Sequence, residues 1–164
     1  MFKNKHLVSA FIVAPMLAIG AYFVTDYVVS EQPHKEQIGS SYPLLQLPNC
    51  RYPSGKCGLK NGNFKVVVTG RSDSSGELLL TVNSFFALES VYVSVVPDKD
   101  DVVGPTTMQP IDESNKQFQV ALHADKPTEQ FLRLVVNSGG AAYYAETAMP
   151  FLNYQTSFNK DFRK

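Results

Sequence analysis

The sequence predicts an all-β protein: an antiparallel, immunoglobulin-like β-sandwich preceded by a single N-terminal transmembrane helix. Three observations predict it. Residues Leu7 to Thr25 form a nineteen-residue span without a charge. From Asn61 onward, apolar and polar residues alternate with period two in several short runs. Turn clusters of Gly, Ser, Asp, Asn and Pro separate those runs, with no long amphipathic pattern between them.

The N-terminal span comes first. At 1.5 Å per residue, a nineteen-residue helix covers roughly 28 Å, close to the thickness of a bilayer core. Its residues are apolar all round, which excludes a surface helix with one buried face. Tyr22, Phe23 and Tyr27 lie where an aromatic belt meets the headgroups, and Pro15 lies mid-span. Lys3 and Lys5 precede the span, while Asp26 and Glu31 follow it. The positive-inside rule then puts the N-terminus in the cytoplasm and residues 30–164 outside that membrane. The bilayer contact is expected over residues 7–29, within an anchor segment 1–29. A cleavable signal peptide is the competing reading, with Ala18-Ile19-Gly20 as its small-x-small exit. The apolar run continues past that exit through Tyr22, Phe23 and Val24, which favours an uncleaved anchor.

Residues 30–49, SEQPHKEQIGSSYPLLQLPN, carry no helical periodicity and read as an extended linker. Leu44, Leu45 and Leu47 within it are suited to a first edge strand or a strap. The only two cysteines follow, in LPNCRYPSGKCG. Six residues separate Cys50 from Cys57, and Pro53-Ser54-Gly55 between them is turn chemistry. In an exported domain the expected outcome is a disulfide. A CxxC redox motif needs two intervening residues, and zinc needs two further ligands that the sequence does not supply.

The sandwich is expected over residues 50–154, built from six to eight strands. Phe64, Val66 and Val68 alternate with Lys65 and Thr69. Leu78, Leu80 and Val82 alternate with Thr81 and Asn83, and Val91, Val93 and Val95 with Tyr92 and Ser94. Phe118, Val120 and Leu122 alternate with Gln117, Gln119 and His123, and Leu132, Leu134 and Val136 with Arg133 and Asn137. Residues 141–149, AAYYAETAM, form a weaker strand reached by the Asn137-Ser138-Gly139-Gly140 hairpin turn. Residues 155–164 read as a tail.

No motif for catalysis or for a cofactor stands out, so the chain is read as a non-enzymatic protein without cofactor. Ser72, Asp73, Ser74 and Ser75 lack a nucleophile-elbow pattern, and Asp98, Asp100 and Asp101 lack the glycine and closing glutamate of a calcium loop. Metal ligation has one candidate set, Met108, His123 and Met149, since thioether sulfur is soft and suits Cu(I). They are scattered, with no HxM or MxxM cluster. Residues 31–164 hold thirteen Lys and Arg against fourteen Asp and Glu, a net of minus one. So even a balance argues against nucleic acid as a partner and against long-range steering. Binding to another membrane or periplasmic protein would then rest on apolar anchors, with Tyr92, Tyr143 and Tyr144 as partner-binding candidates. Tyr143 and Tyr144 are adjacent in a strand, so one of them faces the core.

A membrane helix, a tether and a small exported β-domain with LPNCRYPSGKCGLKNGNFKVVV at its entry and AAYYAETAMP at its close resembles the FixH/CcoH and YtkA-like proteins of bacteria. The resemblance covers Pro48 to Pro150 and implies a place in a bacterial inner membrane with the domain in the periplasm, and an accessory role in assembling a respiratory membrane complex. Related domains often carry a Met-rich segment and a Cys or Trp after the final Pro. Here Met108 stands alone and Phe151-Leu152-Asn153-Tyr154 follows Pro150. The alternative function is a periplasmic copper-binding or copper-delivery protein.

Overall fold

The computed structural model describes residues 5–29, 37–72 and 75–155. The chain divides into two units, Met1–His34 and Lys35–Lys164. The first contains helix α1 (Lys5–Val29), which continues through Pro15. Within it, Ser9–Asp26 is long and apolar enough to cross a membrane, and none of that window is buried. Phe11, Met16, Leu17, Tyr22 and Phe23 are all exposed, around the whole circumference of the helix. Lys3, which helped to set the expected orientation, lies outside the described residues.

The second unit is mostly β, in two sheets. The first sheet has the order β1-β11-β10-β6-β7, from β1 (Ser41–Pro43), β11 (Ala141–Ala148), β10 (Phe131–Ser138), β6 (Ser90–Val96) and β7 (Thr106–Thr107). The second has the order β2-β3-β4-β5-β9-β8. It is built from β2 (Leu45–Gln46), β3 (Lys56–Asn61), β4 (Phe64–Ser72), β5 (Glu77–Ser84), β9 (Gln117–His123) and β8 (Gln109–Pro110). The period-two runs in the sequence become strands because alternate side chains project to opposite faces. Phe64, Val66 and Val68 of β4 are buried, as are Leu78, Leu80 and Val82 of β5 and Leu132, Leu134 and Val136 of β10. Inward residues of both sheets join one hydrophobic cluster.

Two features depart from the expected pattern. The pairing is not antiparallel throughout, since β1 runs parallel to β11 with Ser41 opposite Ala142 and Pro43 opposite Tyr144. The entering chain reaches that edge in the direction β11 already runs, with Gly39 N–H donating to the Gly140 carbonyl at 2.8 Å. Both β1 and β2 fall within the stretch read as linker, and Leu44 between them is buried because its neighbours are held in the two sheets. The second departure is in β6, where Ser94 and Val96 are buried although they lie on the outward phase. The segment 97–105 accounts for this by folding back across them. Ser94 Oγ donates to the Val103 carbonyl at 3.1 Å. Arg133 Nη1 donates to the Asp101 carbonyl at 2.7 Å, and Nη2 donates to the Lys99 carbonyl.

Two local devices set the ends of the domain. Gly139 and Gly140 have φ of 60° and 75°, the left-handed pair that a two-residue hairpin between Ser138 and Ala141 requires. Cys50 and Cys57 are disulfide-bonded and buried, with Cα atoms 4.2 Å apart. Gly55, at φ 75°, turns the intervening loop, and the Gly58 N–H donates to Asn49 Oδ1 at 3.1 Å. The tail beyond Gln155 lies outside the described residues.

Candidate interaction surface

The outward face of the first sheet is divided by the folded-back segment. Rows of residues at matching register run across the strands. In one row, Ser94, Arg133 and Glu146 lie side by side, covered at Ser94 by residues 97–105 and tied by an Arg133 Nε to Glu146 Oε2 contact of 2.9 Å. The next open row is made of Thr107, Tyr92, Val135, Tyr144 and Pro43, one residue from each of five strands. Val135 stands between Tyr92 and Tyr144, and both Val135 and Tyr144 are exposed, Tyr144 by 48%. A shallow depression of about 480 Å³ adjoins the row, lined by Pro43, Leu44, Val135 and Tyr144 with Arg133 and Glu146 at its polar side.

The chemistry of this row follows from the strands that hold it. Tyr and Val are favoured in strands because their side chains pack against cross-strand neighbours. Cross-strand neighbours also restrict the rotamers of each side chain. A restrained aromatic loses little entropy when a partner covers it, so such rows suit recognition of another surface. The Arg133–Glu146 pair beside it supplies a polar margin of both signs.

The structure sorts the residues singled out from the sequence. Tyr92 and Tyr144 flank Val135 in this row, whereas Tyr143 is buried and leaves the surface set. The cause is strand alternation: Tyr143 projects inward, where its ring stacks on Phe64. Met108 and Met149 are core residues at 1% and 0% exposure, while His123 stands on the surface with Nε2 3.1 Å from Asp125 Oδ1. Among the described residues, no group of three or more His, Cys, Asp and Glu converges as metal ligands would. A second depression, of about 340 Å³, lies against the other sheet, lined by Thr69, Arg71, Leu79, Thr81 and Gln119.

Sequence reasoning missed Val135, Arg133 and Glu146 as parts of the surface. Val135 had a readable signal, being an apolar residue on the polar phase of LRLVVNS. The Arg133–Glu146 pair had none, because it depends on the register between β10 and β11.

No family model matches this chain, and no curated protein or solved structure matches it. Its class is therefore stated from the structure: a mostly β domain of two sheets in a chain with one N-terminal apolar helix.

Proposed function

We propose that this chain is a single-pass, membrane-anchored protein whose periplasmic domain is an immunoglobulin-like β-sandwich acting as a non-enzymatic interaction or assembly module. The observation that carries the reading is the row Tyr92–Val135–Tyr144, an outward apolar strip on a sheet whose neighbouring outward rows are polar, small or covered.

Strand order supports the immunoglobulin-like type. With β4, β5, β6, β8, β9, β10 and β11 taken as the seven strands, one sheet reads first-second-fifth-fourth and the other third-sixth-seventh. That is the distribution of a seven-stranded immunoglobulin sandwich. The remaining strands are additions: β7 beside β6, β1 beside β11, and β3 with β2 beside β4. The Cys50–Cys57 bridge differs from the inter-sheet bridge of antibody domains, since it closes a short loop.

The uncovered helix supports the anchor. A helix apolar on every side has no protein surface to bury against in its own unit, and lipid is the solvent that suits it. Reading the Lys5 end of the helix as the cytoplasmic one is supported by the Cys50–Cys57 disulfide, since bonded cysteines suit an oxidising compartment. The resemblance to FixH/CcoH and YtkA-like proteins adds a candidate setting, as an accessory of a respiratory membrane complex.

A photo-crosslinking amino acid placed at Tyr144 in the full chain, in its own membrane, tests the module. One discrete crosslinked protein is expected, absent when the same probe replaces Leu79 on the other sheet. Equal crosslinking from both positions, or none from Tyr144, would overturn the reading.

A further inference from the structure

Charge on the β domain is nearly balanced in number but not in position. The outward face of the second sheet collects cations. In β3, Cys57 and Leu59 project inward and are buried, so Lys56 and Lys60 project outward. In β4, Phe64, Val66 and Val68 are buried, so Lys65, Thr69 and Arg71 project outward. The register then sets these side chains beside one another. Lys60 lies directly opposite Lys65, and Lys56 lies directly opposite Thr69. At about 3.3 Å per residue, the Lys60–Lys65 pair, Lys56 and Arg71 mark three levels along β4, roughly 13 Å and then 7 Å apart.

Nothing described neutralises this stripe. Ion pairs among the described residues are His123–Asp125, Lys126–Glu129 and Arg133–Glu146, and none includes the four cations. The one acidic residue in β3, β4, β5 and β9 is Glu77, at the far end of the face opposite His123. Like charges directly opposite in an antiparallel ladder are destabilising, so the Lys60–Lys65 pair costs the empty fold stability. An anion seated between the two ammonium groups offsets that cost.

The other end of the stripe is concave. The depression of about 340 Å³ opens beside Arg71, with Thr69, Thr81 and Gln119 in its lining. Gln119 Nε2 donates to Thr81 Oγ1 at 3.3 Å, which holds the amide in place. A guanidinium binds a carboxylate through two parallel bonds, and the hydroxyls and amide beside it both donate and accept.

These features select the occupant. A line of charge that ends in a hollow does not match a flat layer of lipid headgroups. Single-stranded nucleic acid needs aromatic platforms for its bases. Among the described residues, no aromatic side chain projects outward from β3, β4, β5 or β9, since Phe64 and Phe118 are buried. A protein partner needs aromatic anchors, and those lie on the other sheet. A linear acidic polysaccharide supplies carboxylates for the cations, hydroxyls for Thr69, Thr81 and Gln119, and an extended shape for the stripe.

We infer that the outward face of the second sheet binds a linear acidic polysaccharide, with carboxylates seated at Lys60–Lys65 and at Arg71. The inference stands apart from the Tyr92–Val135–Tyr144 row and does not depend on it.

The probe is dye-labelled oligogalacturonate, which carries one carboxylate per sugar, and its fully methyl-esterified form is the uncharged control. Fluorescence anisotropy reads binding to the full chain in phosphatidylcholine nanodiscs at low ionic strength, with empty nanodiscs as the baseline. The acid form is expected to bind, the ester at least tenfold more weakly, and added salt should weaken the acid form. Arg71→Gln and the double variant Lys60→Gln with Lys65→Gln should each lose several-fold in affinity. Arg71→Lys should recover only part of the loss, because one ammonium cannot replace the guanidinium fork. Lys126→Gln, which removes a positive charge away from this face, should bind as the native chain does. The urea midpoint of the double lysine variant is expected at or above the native value, since the like-charge pair is gone. A lower midpoint makes the pair a structural element and overturns its role as an anion seat. Absence of binding, equal binding of acid and ester, or losses no larger than that of Lys126→Gln overturns the inference. Tighter binding of oligo-deoxythymidylate or of polyglutamate assigns the face to nucleic acid or to an acidic protein and overturns it also.

Discussion

The rings of Phe64 and Tyr143 stack with centroids 3.8 Å apart and planes inclined by 12°, one ring from each sheet. This contact joins the start of β4 to the start of β11, and Tyr42 and Phe86 pack around it. The residues that shape the outward row are neighbours in sequence of those that close the core inside. Tyr143 and Tyr144 divide the two tasks between them.

Phe64→Ala is therefore expected to destabilise the domain by about 3–5 kcal/mol, the range for removing a buried aromatic and leaving a cavity. Pulse proteolysis of the full chain in detergent across a urea series measures this. Tyr143→Ala should fall in the same range, and Tyr143→Phe should cost far less because the stack is retained.

Replacing both Cys50 and Cys57 by Ala is expected to lower stability by about 2.5 kcal/mol, the chain-entropy value for so short a loop. Both side chains are buried, so loss of the two sulfurs adds a cavity cost on top of this value. The same urea series with and without reductant checks the value: reductant should weaken the native chain and leave the double variant unchanged.

Arg133 fastens segment 97–105 to the sheet through Glu146 and two carbonyls. Arg133→Ala should release the segment, raising hydrogen exchange and proteolytic nicking at 97–103 while the global midpoint shifts by only about 1 kcal/mol. Arg133→Lys should not restore protection, because a single ammonium cannot match the forked geometry of a guanidinium.

Tyr144→Ala and Val135→Ser should leave stability within about 0.5 kcal/mol, as expected for exposed positions. Each should nonetheless weaken crosslinking from a probe at Tyr92, since hot-spot residues act through packing at the contact. Substitution of Leu79, exposed on the other sheet, should change neither.

The core was legible in the sequence wherever period-two alternation was strong. The six runs read as strands correspond to β4, β5, β6, β9, β10 and β11, because one buried face enforces the period. Less legible were β1 and β2, of three and two residues, whose pairing depends on distant partners and not on local pattern. Strand β3 was partly hidden: Gly58 interrupts its alternation, and the space above that glycine is filled by Leu47. The burial of Ser94 and Val96 could not be read locally either, since it is imposed by a loop clamped from Arg133. The surface candidates were half legible. Alternation requires that Tyr143 and Tyr144 diverge, but which one faces inward depends on the register with β10.

The central claim is that the β domain is displayed outside the inner membrane on an uncleaved helix. Proteolysis of intact spheroplasts carrying the full chain with an epitope at its N-terminus tests this directly. The account predicts that added protease removes the domain while the epitope persists on a small membrane-bound fragment containing residues 5–29. A domain that survives the protease in intact spheroplasts, or a mature protein that has lost the epitope before any protease is added, would contradict it.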